Sequence, residues 1–255
     1  MATAAASLRA LLARLIDYAG LFPPAGLPLT AVVENYSAYL ASSDAWILNR
    51  LVLPAAKLAG AQLPPDGRLT LLVESEPSSA PPQVETFESK FARPFSRPTY
   101  YELPLDAVPS GGFAKVRTGG LTPDMIPPTT QIAGFLMEAA RRRVPFKATA
   151  GLHHPLRSLH PLTYAGEAPH AVMHGFINVF TAAAFAWHGA KALVVADVLN
   201  DVDATAFSFT DAELRWRGRA LSTAQIEAAR REFAHSFGSC SFEEPLADLR
   251  ELGWL

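Results

Sequence analysis

Hydrophobic positions change period several times along the chain. Leu8, Leu11, Leu12 and Leu15 fall at helical spacing, as do Leu29, Val32, Val33, Tyr36 and Leu40. Short apolar segments of strand length lie at Ile16–Ala25, Ala45–Pro54, Arg68–Ser75, Thr99–Leu105, Phe113–Gly120 and Pro145–Gly151. "AFSFTDAELRWRGRALS" (Ala206–Ser222) reads as a seventh strand with a hairpin turn at Arg217-Gly218, and "GSCSFEEP" (Gly238–Pro245) as an eighth. Helical patterns fill most of the gaps: "QVETFESKF" from Gln83, "TTQIAGFLMEAARRRV" from Thr129, "HGFINVFTAAAFAWHG" from His174, "TAQIEAARREFAHSF" from Thr223 and "LADLRELGWL" from Leu246. "AAKLAGAQ" from Ala55 is a brief helical turn.

Alternating strands and helices predict a parallel sheet. Eight such units in 255 residues point to a single α/β domain over residues 1–255, a (β/α)8 TIM-like barrel with an N-terminal amphipathic helix. The alternative is a doubly wound open α/β sheet, disfavoured because no glycine-rich phosphate loop follows a strand. The N-terminus lacks acids before Asp17 and carries Arg9 and Arg14. These arginines interrupt the apolar centre a signal peptide needs and leave a packed helix or an organellar transit peptide.

Composition narrows the setting. A net charge of −2 gives no reason to expect nucleic acid or an anionic membrane as partner, and no apolar run reaches a membrane span. One cysteine, Cys240, favours a reducing, cytoplasmic setting. No cofactor or metal is expected, and a homo-oligomer is compatible with the sequence.

The candidate chemistry lies in the fifth and sixth predicted strands. Side chains alternate across a strand, so Phe113, Lys115 and Arg117 share one face, and Lys147 and Thr149 share the other face from Phe146, Ala148 and Ala150. The outer face of a barrel strand must be apolar, so the cations point inward. Glycines follow both strands, Gly119-Gly120 and Gly151, at the C-terminal mouth where barrel enzymes keep their sites. Two cations about 6 Å apart repel by roughly 3 kcal/mol at an effective dielectric of about 20, which predicts a Lys147 with a neutral fraction near pH 7, ready to form an imine. Two other readings of the same residues stand beside this one: an anion-binding cluster without lysine chemistry, and a structural ion-pair layer neutralised by Glu74, Glu102, Glu243 or Glu244.

Five of seven histidines lie between Gly151 and Gly175, in a long connection that reads as a lid or substrate loop. His153 is the candidate proton shuttle, with His154 beside it. His170 and His174 have the spacing of a zinc pair but lack a third ligand. Asn178 is placed near the mouth, or as a helix cap. Ser239 and Ser241 on the eighth strand suit a substrate's anionic group, Cys240 is a buried filler, and Asp17 and Tyr18 end the first strand where they reach the mouth.

Lys147 with Lys115 resembles the paired lysines of class I aldolase barrels, which frequently place the imine-forming lysine on the sixth strand. Deoxyribose-phosphate aldolases add a second lysine on a neighbouring strand. The resemblance implies an acid on an earlier strand, for which Glu74 or Glu102 is the nearest match. Separately, "KVRTGG", "FKATAGLHHP" and "GSCSFEEP" together resemble a family of uncharacterised bacterial proteins, a likeness that carries no activity with it. The expected function is a lyase or aldolase-like enzyme forming a Lys147 imine with a small anionic carbonyl substrate. Lys115, Glu102 and His153 assist catalysis, and Arg117, Thr149, His154, Gly119, Gly120, Asn178, Ser239 and Ser241 contact the substrate. The alternatives are a metal-assisted enolase-like or hydrolytic barrel enzyme, with Glu74 and Glu102 as ligands and Lys147 as base, and a non-catalytic barrel that binds an anionic metabolite.

Overall fold

A computed structural model describes residues 4–255. Eight parallel strands close into a barrel: β1 (Ile16–Tyr18), β2 (Leu48–Pro54), β3 (Leu69–Leu72), β4 (Val84–Ser89), β5 (Thr99–Glu102), β6 (Phe113–Arg117), β7 (Phe146–Thr149) and β13 (Ala234–Ser239), with β13 pairing β7 on one side and β1 on the other. The chain is a (β/α)8 TIM-like barrel. Helices α1 (Ala6–Leu12), α2 (Leu29–Leu40), α3 (Thr129–Arg141), α4 (Phe176–Trp187), α5 (Ala192–Asn200), α6 (Thr223–Glu232) and α7 (Glu243–Glu251) accompany it. The amphipathic N-terminal helix buries Leu8, Leu11 and Leu12 and packs on α6. Met1, Ala2 and Thr3 of the segment read as that helix's lead-in lie outside the described residues. Among the described residues no helix is long and apolar enough to cross a membrane.

Three sequence expectations are corrected. "QVETFESKF" contains a barrel strand, β4, and not a helix. Its Thr86 and Glu88 face a polar barrel interior, Thr86 bonding Thr70 at 2.8 Å, and a register shift between Val84 and Thr86 inserts Glu85, so the alternation that marks a strand is broken. Ala206–Ser222 lies outside the barrel as a three-stranded antiparallel sheet of β10 (Phe207–Phe209), β11 (Glu213–Trp216) and β12 (Arg219–Ser222). Leu214, Trp216 and Leu221 are buried while Arg215 and Arg219 face solvent, which suits a one-faced antiparallel sheet and not a doubly covered barrel strand. The last barrel strand begins at Ala234, and Glu243 and Glu244 belong to α7.

Between β3 and β6 no helix intervenes, so the outer face of β4 and β5 needs another cover. Phe95 supplies it from the β4–β5 loop, packing against Phe87 at 5.9 Å and Tyr101 at 6.5 Å between ring centres. The Tyr101 hydroxyl donates to the Arg93 carbonyl at 2.7 Å and fastens the same loop.

Candidate active site

Strand register sets the inner row of the site. Glu102 pairs Lys115 across β5 and β6, Lys115 pairs Lys147 across β6 and β7, and Lys147 pairs Ser236 across β7 and β13. The two lysines are therefore neighbours, but they do not stand alone. Lys147 Nζ donates to Asp17 and, at 2.5 Å, to Glu88. Glu88 also holds Lys115 at 2.7 Å, Lys115 holds Glu102 at 2.8 Å, and Glu102 holds Arg117 at 2.8 Å. Asp17, Lys147, Glu88, Lys115, Glu102 and Arg117 thus alternate in sign around the barrel interior. Asp17 Oδ1 accepts from Asn49 at 2.7 Å and from the Arg50 amide at 3.2 Å, and its Oδ2 from the Ser236 hydroxyl at 2.8 Å.

This arrangement reverses the expected electrostatics of Lys147. Burial works to lower its pKa, but the Asp17 and Glu88 carboxylates outweigh burial and hold the ammonium above the ordinary lysine value. Burial likewise works to raise Glu88, yet Lys115 and Lys147 pull it down to about 2. Glu102 is lowered by Lys115 and Arg117 against its own desolvation. The direct repulsion between Lys115 and Lys147 is cancelled by the carboxylate between them. Lys147 rests protonated, and a neutral amine arises only when a neighbour takes its proton.

The network forms the floor of a cavity of about 400 Å³ at the C-terminal mouth, within the range of small-molecule sites. Lys147 is 1% exposed and Lys115 7%, and both line the cavity with Glu88, Glu102, Arg117 and Lys90. With Asp17 bonded to Lys147 beneath the floor, four cations stand against three carboxylates, and Lys90 gives the site a positive excess of one. Phe22, Pro23, Leu121, Met125, Leu162 and Met173 form an apolar upper wall, which raises the strength of charge interactions beneath it.

The β6 and β7 exits are locked to each other. Thr118 Oγ1 donates to the Ala150 carbonyl at 2.5 Å, and a Cβ on Gly119 would lie 2.9 Å from Gly151 Cα. Gly151 itself has φ +75°, a conformation glycine takes without steric cost.

The histidine-rich connection forms a hairpin, β8 (Ser158–Pro161) with β9 (His170–Met173). His153 lines the main cavity and is hydrogen-bonded through Nδ1 to Glu244 at 3.1 Å. Glu244 also accepts from the Tyr164 hydroxyl at 3.2 Å. His154 lines a smaller adjoining cavity of about 250 Å³, where it meets Asp248 at 2.6 Å and stacks on His160 at 3.3 Å. His170 and His174 bond separate backbone carbonyls, those of Ala168 and Pro127. Among the described residues no three His, Cys, Asp or Glu side chains converge as a metal cage.

Of the residues singled out in the sequence, Lys147, Lys115, Glu102, Arg117, Thr149, Gly120 and His153 meet at the mouth cavity. Gly119 shapes that mouth from behind, and His154 sits next door. Asn178 does not reach the mouth. It is fully buried and ties the Arg157 amide to the Val198 and Asp201 carbonyls. Ser239 and Ser241 also turn away from the substrate space, Ser239 accepting from the Ser241 amide and Ser241 from the Glu244 amide at the start of α7. Glu74 is exposed and takes no part in the ion-pair row. Glu88 was missed because its strand reads as a helix, and Asp17 was placed at the mouth without its partner, Lys147.

The added strand also moves Lys115 and Lys147 to the sixth and seventh barrel strands in chain order. The sixth-strand correspondence with class I aldolases is therefore lost, while the juxtaposition of two lysines remains. Comparison with known proteins gave no matching family model, no matching curated relative and no matching solved structure.

Proposed function

We propose that this barrel is a lyase or aldolase-like enzyme that forms an imine between Lys147 and a small anionic carbonyl compound. The observation that carries the reading is Lys147 Nζ on the floor of a mouth cavity, between the carboxylates of Asp17 and Glu88. A structural ion-pair layer gains from being covered, whereas this one opens onto a space of substrate size. Buried ion pairs are also a poor source of net stability.

The steps follow from the charges. When a carbonyl group enters, the Lys147 ammonium gives its proton to Asp17, one of its two carboxylate partners, and the free amine attacks the carbonyl carbon, while Glu88 stays ionised beside it. The carbinolamine hydroxyl leaves as water after taking a proton back, and the nitrogen becomes an iminium. Its positive charge occupies the place the ammonium held between the same two carboxylates, so the site favours the intermediate without reorganising. His153 takes the proton of a hydroxyl on the substrate's second carbon from the iminium. That carbon departs as an aldehyde or ketone as its bond to the first sends an electron pair into the iminium, and the resulting enamine is protonated before water hydrolyses the iminium and frees Lys147. His153, oriented by Glu244, is the proton carrier on the cavity wall. Glu102 already accepts from Lys115 and Arg117, so its part is to hold these cations, and Arg117 and Lys90 receive the substrate's anionic group. The proposed setting is the cytoplasm, where a lone thiol stays reduced.

Borohydride reduction in the presence of pooled aldehydes, 2-keto acids and sugar phosphates tests this. A mass increase equal to one reduced adduct is expected, absent in Lys147→Met. No adduct from any pool, with ligand binding still present by calorimetry, would transfer the site to non-covalent anion binding, the reading that the fully paired resting ammonium favours.

A further inference from the structure

At the opposite end of the barrel a second cavity, of about 850 Å³, lies between α1, the strand starts and α6. Its lining is dominated by guanidinium groups: Arg9, Arg14, Arg50, Arg68, Arg230 and Arg231, against Glu85 and Glu227. We infer that this is a binding site for a small compound carrying two or more adjacent phosphoryl oxyanions, separate from the mouth cavity.

The charge there is only partly balanced: Arg231 pairs Glu232 at 2.7 Å, and Asp17 acts on Arg50 from the barrel interior. Glu85 alone serves two arginines, Arg50 at 2.7 Å and Arg68 at 3.8 Å. Arg14 makes no side-chain hydrogen bond or ion pair among the described residues, and its carbonyl, with those of Leu11 and Ala13, instead accepts from Arg230. Arg230 is hydrogen-bonded wholly to backbone carbonyls, including those of Ala234 and His235, and among the described residues no carboxylate touches it. Arg9 lies 4.3 Å from the centre of the Trp46 ring, which fixes its direction.

The free donors of Arg50 and Arg68 are positioned, while the Arg14 head group stands exposed at the rim. Arg50 and Arg68 are 18% and 20% exposed. Arg50 uses Nε on Glu85, and Arg68 uses Nη2 on Asn49 Oδ1 at 2.5 Å. Among the described residues the terminal nitrogens of Arg50, Nη1 of Arg68 and the whole Arg14 head group have no acceptor. Guanidinium forks of this kind match phosphoryl oxygens two at a time. The field of the cluster is also felt by its neighbours: Arg68 is lowered by burial and then by Arg14 and Arg50, and His235 is pulled down to about 4 by burial, Arg230 and Arg50. A bound polyanion relieves both. Tyr100 and Phe113 add aromatic wall, on which a ring attached to the phosphates can rest.

Titration calorimetry of the full chain with inorganic pyrophosphate, against sodium chloride of equal ionic strength, tests the inference. One equivalent is expected to bind, with at least about a tenfold loss of affinity in Arg14→Gln and again in Arg68→Gln. Arg117→Gln, at the mouth, is expected to leave that equivalent intact. Arg14 is exposed, so its variant keeps the fold, and a circular dichroism melt confirms this for both. Citrate and inorganic phosphate as further probes rank the ligand chemistry, and citrate binding as tightly as pyrophosphate would overturn the phosphoryl assignment. Pyrophosphate binding lost in Arg117→Gln but kept in Arg14→Gln, or no heat beyond that of the salt control, would overturn the site.

Discussion

Glu88 accepts from two ammonium groups at once, and much of the site depends on it. Glu88→Gln keeps the shape but leaves Lys115 and Lys147 each with one carboxylate in a dry interior, a change expected to cost about 3–5 kcal/mol; chemical denaturation measures it. The same residue sets an acid limit. Its folded pKa, about 2, lies below the ordinary carboxylate value, so its contribution to stability is complete above about pH 4.5 and is lost as pH falls toward about 2. Lys147 has the opposite sign: its raised pKa gives stability that is complete below about pH 10.5 and is lost as pH rises beyond it. Melting temperature against pH should fall on both sides, and Glu88→Gln should flatten the acid side. Arg117, 41% exposed at the mouth, is different. Arg117→Gln should weaken binding of an anionic carbonyl compound about tenfold with the Lys147 adduct still formed at saturation, read by calorimetry and intact mass. Lys147 stood out in the sequence because a charge interrupts an apolar strand. Its counter-charges did not, because Asp17 and Glu88 meet it only through pairings 130 and 59 residues apart.

The elements show where local pattern serves and where it fails. α3, with Ile132, Phe135, Leu136 and Ala139 buried along one side, and β6 and β7, with apolar outer faces, follow their sequence periodicity. β4 does not, because a register shift between Val84 and Thr86 inserts Glu85 and breaks the polar–apolar alternation by which a strand is read. The antiparallel sheet β10–β12 has strand periodicity, and only the charged face of Arg215 and Arg219 opposite Leu214, Trp216 and Leu221 separates it from a doubly covered barrel strand. The loop that covers β4 and β5 in place of a helix was equally hidden, since nothing in the sequence separates the covering Phe95 from the exposed Phe91 beside it. Phe95→Ala should destabilise the chain by about 2 kcal/mol, below the cost for a fully buried phenylalanine because Phe95 is partly exposed. A thermal melt checks this, and no change would mean that the loop does not cover the barrel wall.

At the scale of the molecule, the barrel has a charged cavity at each end. Arg68 at the lower cavity donates to Asn49, Asn49 donates to Asp17, and Asp17 holds Lys147 at the upper one. Eight strands in parallel register bring these groups onto one axis, although they come from β1, β2, β7 and the loop before β3. The account of the upper cavity rests on Lys147 reacting with a carbonyl carbon, and the most direct measurement is peptide mapping of the borohydride-reduced protein at saturating ligand. The predicted result is a single modified peptide containing Lys147, with Lys115 unmodified and with the adduct retained in Arg14→Gln. An adduct on Lys115 alone, or an unmodified chain with the ligand demonstrably bound at the mouth, would contradict it.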